Sequence, residues 1–91
     1  MKRARLYSVT YDIPHDGRRV KVANTLKSFG ERVQYSVFEC WLEPRELAEL
    51  QKRLEQRLDA AEDSVRIYRV QAEVTILGLG AVSENPVFYI V

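Results

Sequence analysis

From Arg5 to Ile13 the chain alternates. Tyr7, Val9, Tyr11 and Ile13 share one face, while Leu6, Ser8, Thr10 and Asp12 share the other. A period of two over β-branched and aromatic residues predicts a half-buried strand. Pro14, His15, Asp16 and Gly17 end it, because proline lacks a donor and Asp and Gly favour turns. Arg18 to Phe29 changes to a helical period, with Val22, Leu26 and Phe29 on one side, Asp16 as the expected N-cap and Gly30 as the stop. Glu31 to Leu42 reads as a strand or as a strand broken by a bend; it is long for a single strand, so a kink or bulge is expected near Tyr35 and Ser36.

Pro44 opens a second helix, whose Leu47, Leu50, Leu54, Leu58 and Ala61 recur at spacings of three and four. Alternation returns in Val65–Val70 and again in Glu73–Leu77, before Gly78 and Gly80. Asn85-Pro86 then predicts a turn into a terminal apolar strand, Val87–Val91. The order β-α-β-β-α-β with an additional C-terminal strand predicts a ferredoxin-like α+β sandwich, in which both helices cover one face of an antiparallel sheet. The other face must meet water or protein. An exposed apolar terminal strand is an aggregation hazard, so pairing with a second copy of the chain is expected.

Composition changes this picture little. At 91 residues the chain is read as one domain, 1–91, and 46% hydrophobic with 30% charged residues excludes a disordered polymer. No apolar run approaches the ~20 residues that span a bilayer, so no membrane partner is expected and cytoplasmic residence is the default. Cys40 is alone, which leaves neither an intrachain disulfide nor a cysteine-rich metal site. Charge is more informative. Residues 1–30 carry seven basic and two acidic side chains, and residues 31–63 carry five basic and nine acidic ones, within a net charge of +1. The N-terminal third can therefore neutralise phosphates that the middle third repels.

Asp12 is the candidate with chemistry. It is a carboxylate at the end of the first strand, on its more polar face, where it either serves as a metal ligand or catalytic acid or merely receives N–H groups of the next turn. If the uncovered sheet faces of two copies met, two such carboxylates would approach and make a reasonable Mg²⁺ or Mn²⁺ site. His15 and Asp16 read as turn and cap residues, Cys40 and Trp41 as packing residues, and Ser36 as a bend residue that satisfies backbone.

The pieces Tyr11-Asp12-Ile13, Arg18-Arg19-Val20-Lys21-Val22-Ala23 and, above all, Gly30-Glu-Arg-Val-Gln-Tyr-Ser-Val-Phe-Glu-Cys40 resemble one family. It is the CRISPR-associated endoribonuclease family, the small second member of the universal spacer-acquisition pair. Glu62-Asp63-Ser64-Val65-Arg66-Ile67-Tyr68 fits the same pattern, so the resemblance spans roughly residues 5–70. It implies a ferredoxin-like homodimer acting as a Mg²⁺-dependent endonuclease (Mn²⁺ being the alternative ion) on single-stranded RNA or double-stranded DNA. It also implies a role bridging integrase subunits in CRISPR adaptation. Carried over by position, the metal-binding Asp falls on Asp12 and its neighbouring Tyr on Tyr11. The basic residues of the first helix fall on Arg18, Arg19 and Lys21, the Arg of the second strand on Arg32, and the aromatic of the Ser-Val-Phe stretch on Phe38.

Two functional readings follow. One is a metal-dependent nuclease with Asp12 from each subunit at its centre; the other is a non-catalytic homodimeric adaptor that binds duplex DNA and bridges the integrase. A small-molecule-sensing regulator of the same fold is a third reading, for which the sequence offers no ligand pocket.

Overall fold

A computed structural model describes residues 3–80. Its elements are β1 (Arg5–Asp12), α1 (Asp16–Lys27), β2 (Glu31–Gln34), β3 (Val37–Leu42), α2 (Pro44–Glu55) and β4 (Ser64–Arg69). The strands form one antiparallel sheet in the order β2-β3-β1-β4. This is the ferredoxin-like arrangement, in which β1 is central and the two crossovers each contribute a helix.

Alternation decides which face of the sheet is covered. Val9 and Tyr11 of β1, with Phe38, Cys40 and Leu42 of β3, join Val22, Ala23 and Leu26 of α1 and Leu50 and Leu54 of α2 in one buried cluster. Burying a leucine such as Leu50 fully is worth about 1.5–3 kcal/mol, so the two helices are held chiefly by these contacts. Leu6, Ser8, Thr10 and Asp12 lie on the opposite face, in register with Trp41, Glu39 and Val37 of β3 and with Tyr68, Arg66 and Ser64 of β4.

The boundaries depart from the sequence expectation in four places. The α1 N-cap is His15, whose Nδ1 accepts from the Arg18 N–H at 3.1 Å, so Asp16 is the first helical residue and not the cap. Its carboxylate still complements the positive end of the helix dipole. The long second strand is a complete hairpin: β2 and β3 reverse through Tyr35 and Ser36, with a register shift between Arg32 and Gln34. No non-glycine residue has positive φ among the described residues, so the usual left-handed hairpin turn is absent and the bulge absorbs the twist instead.

The stripe of α2 continues past the helix itself. Asp59 accepts from the Ala61 N–H at 2.9 Å and Asp63 accepts from the Asp59 N–H at 2.9 Å, forming turns that end the helix before Leu58, which still packs on the core. Ala61 is exposed. Glu73–Leu77 is not a strand, because no sheet partner stands beside it among the described residues and a period of two cannot stabilise a strand by itself. The terminal strand expected over Val87–Val91 lies outside the described residues.

Gly30 joins α1 to the hairpin at a place with no room for a side chain. A Cβ there would lie 2.6 Å from Cys40 Sγ, 2.8 Å from Cys40 Cα and closer still to the Glu39 carbonyl oxygen. The close approach of helix end and sheet seats the hairpin, and with it Arg32 and Tyr35. No described helix is long and apolar enough to cross a membrane.

Candidate functional site: a divided set of residues

Because side chains alternate along a strand, the neighbours Tyr11 and Asp12 face opposite sides of the sheet. Asp12 is exposed at the C-terminal end of the central strand, across from Ser64 of β4 and two residues from Thr10 on the same face. A carboxylate with hydroxyls around it is a donor set of hard oxygens, the chemistry that Mg²⁺ and Mn²⁺ take. Among the described residues, no three His, Cys, Asp or Glu side chains gather where they could hold a metal. The donor type therefore fits such an ion, while a single chain supplies one carboxylate only.

On the helix side, four of the sequence candidates come together. The Tyr11 hydroxyl donates to the Tyr35 carbonyl at 3.2 Å and accepts from Arg32 Nη2 at 3.4 Å. The Arg32 guanidinium lies 5.3 Å from the centroid of the fully buried Phe38 ring, within cation–π range. The Tyr11 and Phe38 rings are 6.3 Å apart and tilted by 31°. Arg19 donates to the Ile13 carbonyl at 3.0 Å and pairs with Asp16, a hydrogen-bonded carboxylate that raises the guanidinium's pKa. Tyr11, Arg19 and Arg32 border a hollow of about 220 Å³ that Asn24, Lys27 and Tyr35 also line. Tyr11 and Phe38 are thus framework, while Arg19, Lys27 and Arg32 offer cationic edges to it.

Arg18 is elsewhere. Its Nε and Nη2 donate to the two oxygens of Asp63 at 2.8 and 3.1 Å, and Nη2 also reaches Glu62 at 2.9 Å. The Asp63 side chain is completely covered, at 0% exposure, against 22% for Arg18. The Arg18 hydrogen bonds, helped by the Asp59 N–H, hold the Asp63 carboxyl below the usual carboxylate range, and Asp63 and then Glu62 raise Arg18 in return. Arg18 therefore fastens the start of α1 to the loop before β4; a phosphate would have to displace two carboxylates to use it. Arg19 is the one of the pair that borders the hollow. Sequence reasoning missed Asn24, Lys27 and Tyr35 as lining residues and Asp63 as the partner of Arg18. Only the exposed aromatic in a predicted bend was a signal for Tyr35, and nothing local marks a partner 45 positions away.

A four-stranded antiparallel sheet with two helices on one face and an open strand-end carboxylate on the other defines a small ferredoxin-like α+β domain. The family model described as CRISPR associated protein Cas2 matches residues 5–75, and the chain belongs to that family. It is 56% identical over 80 residues to the CRISPR-associated endonuclease Cas2 2 of a Thermus thermophilus strain, covering 88% of this chain and 89% of that one. It is 54% identical over 63 residues to the CRISPR-associated endoribonuclease Cas2 3 of Synechocystis, covering 69% and 68%.

Among solved structures it is similar to a hypothetical protein, TT1823, from Thermus thermophilus, with a TM-score of 0.83 and 56% identity over 89% of this chain and 99% of that one. Streptococcus pyogenes Cas2 gives 0.71 and 36% over 80% and 99%. A chain of a partial Cas6-RT-Cas1–Cas2 complex gives 0.63 and 28% over 71% and 77%.

Proposed function

We propose that this chain is a divalent-cation-dependent endonuclease of CRISPR spacer acquisition that works as a homodimer, with Asp12 of each copy at the shared centre. The observation that carries the reading is the placement of Asp12: exposed at the end of the central strand, on the face the helices leave uncovered. Two copies related by a two-fold axis on that face would double the carboxylates and so complete a donor set that one chain leaves short. The nuclease names of the relatives support the same class of reaction. Asp12 would hold Mg²⁺ or Mn²⁺, with Ser64 and Thr10 as neighbouring hydroxyls. A bound cation of this kind supplies charge neutralisation at the phosphodiester and activation of water near neutral pH.

Arg19, Arg32 and Lys27 border the hollow on the helix side of the sheet, away from Asp12, so they would attract phosphates that flank the scissile one, Arg19 and Arg32 with the bidentate geometry that guanidinium offers. Tyr11 sets the position of Arg32 through its hydroxyl, and the Phe38 ring, 5.3 Å from the guanidinium, adds a cation–π contact.

The adaptor reading has its own support in the likeness to a chain from a complex that contains Cas1 and Cas2. In that reading a Cas1-type integrase is the partner and duplex DNA the cargo. One experiment separates the two. Labelled single-stranded RNA and double-stranded DNA are incubated with the native chain and with Asp12→Asn, each with Mg²⁺, Mn²⁺ or chelator, while light scattering follows the dimer. The nuclease reading expects cleavage by the native chain with either metal, none with chelator and none by Asp12→Asn, which remains dimeric. Equal cleavage by Asp12→Asn, or a dimer that holds the two Asp12 residues on opposite outer flanks, refutes it. No cleavage by either protein, with DNA capture by the integrase intact in both, leaves the adaptor.

A further inference from the structure

Besides the hollow beside Tyr11, the helix layer has a second depression of about 380 Å³ between α1 and α2, lined by Lys21, Asn24, Thr25, Ser28, Arg53 and Arg57. Neither hollow has a carboxylate in its lining. They share Asn24, so they are consecutive stretches of one surface that crosses α1. Six cations border that surface: Arg19, Lys27 and Arg32 on the hairpin side, and Lys21, Arg53 and Arg57 on the α2 side.

Some of this charge has a structural explanation. Arg53 pairs with Glu49 at 2.9 Å, stacks 5.4 Å from the Phe29 ring centroid and sits near the negative end of α2, where a cation is favourable. That explanation does not reach Lys21, which stands in the middle of α1, and neither Lys21 nor Arg57 has an ion pair among the described residues. Both are exposed, so their charges face solvent across an acid-free groove.

We infer that this groove is a binding track for the sugar–phosphate backbone of a single nucleic-acid strand, running from Lys21 and Arg57 across Asn24 to Lys27, Arg32 and Tyr35. It rests on the reading of the chain as a nucleic-acid-acting protein and adds to it a surface on the helix layer, the side of the sheet away from Asp12. Three features favour a nucleic-acid strand over an acidic peptide. The cations are spread over two hollows that meet at Asn24 in place of one cluster. The amide of Asn24 and the hydroxyl of Ser28 add neutral donors of the kind that commonly meet phosphate oxygens. Tyr35, 73% exposed at the hairpin end of the track, supplies the aromatic surface on which a base stacks. An acidic peptide would use the cations and leave that ring without a role.

The test measures binding of a fluorescent 20-nucleotide oligothymidine to the full chain as a function of salt, beside a 20-base-pair duplex and poly-glutamate. Each backbone contact to a single strand contributes about 0.7 to the slope of log K against log salt. The double variant Lys21→Gln/Arg57→Gln is therefore expected to lower the oligothymidine slope by about 1.4. Tyr35→Ala is expected to weaken oligothymidine binding with little change in slope. All the altered side chains are exposed; Lys27→Gln serves as a further single variant, and circular dichroism checks that each protein is folded. If the native chain binds oligothymidine and the double variant keeps its slope, the track is overturned while the nuclease reading stands. If the native chain binds poly-glutamate but neither oligothymidine nor the duplex, the track and the nucleic-acid reading fall together.

Discussion

Replacing Gly30 by alanine isolates one close approach on which the seat of the hairpin depends. The methyl group would lie 2.6 and 2.8 Å from Cys40 Sγ and Cα, and nearer to the Glu39 carbonyl. Two of those three atoms are backbone of β3, an inner strand paired on both sides, so they cannot swing away as a side-chain tip would. Either the sheet shifts or the α1 end lifts. Over-packing of this kind costs about 1–3 kcal/mol. At about 4–8 °C per kcal/mol for a domain of this size, Tm should fall by roughly 4–24 °C.

Gly17→Ala is the matched control. Its Cβ would meet only the His15 ring, at 3.0 and 3.4 Å, and alanine gains roughly 0.5–1 kcal/mol over glycine inside a helix, so its Tm should stay within a few degrees of the parent. The assay is thermal unfolding by circular dichroism at one fixed protein concentration, since association would make Tm concentration-dependent. A Gly30→Ala protein that melts within a degree or two of the parent would show that the close approach is not a constraint.

Three further outcomes are expected. Asp63 is held below its ordinary pKa by Arg18, so its contribution to stability is fully present above the unfolded carboxylate value near ~3.9 and is lost as pH falls through the lower folded value. Asp63→Asn should thus be less stable than the parent at pH 7 and show a flatter decline between pH ~4 and ~2, read as Tm against pH; parallel curves would contradict this. Tyr11→Phe leaves the Tyr35 carbonyl without its 3.2 Å donor and should cost about 1 kcal/mol in urea unfolding, a loss that an unchanged midpoint would disprove. Burial, with the neighbouring Glu39 carboxylate, pushes the Cys40 thiol up to about 11, so at pH 8 an aromatic disulfide reagent should label the native chain far more slowly than the urea-unfolded one. Equal rates would place Cys40 at the surface.

The sequence carried the architecture further than the site. Leu47, Leu50 and Leu54 announce α2 by spacing alone, and the alternation through Val9 and Tyr11 correctly separates the covered face of β1 from the open one. What it hid was reversal and pairing. Tyr35-Ser36 lacks the Asn-Gly chemistry of a tight hairpin, so the break in the strand could be placed but its full reversal had no local mark; the bulge lies between Arg32 and Gln34 and is a property of two strands in register. Glu73–Leu77 has a strand's pattern without a strand's neighbour. At the site, Tyr11 and Asp12 are adjacent in the chain but divided by the sheet, which alternation alone predicts. The different duties of Arg18 and Arg19 could not be read locally, because the Asp63 that holds Arg18 is 45 positions away in the chain.

The central place of β1 has a consequence for biosynthesis. This strand leaves the ribosome before the other three described strands, gains β3 on one side once residue 42 has emerged, and waits until residues 64–69 for β4 on the other. Throughout that interval its second edge offers bare amides and carbonyls, as an incomplete sheet does to any strand nearby. A transcript cut short before Ser64 would therefore yield a sticky, self-associating fragment, and the emergence of β4 as far as Arg69 is the step that closes this edge.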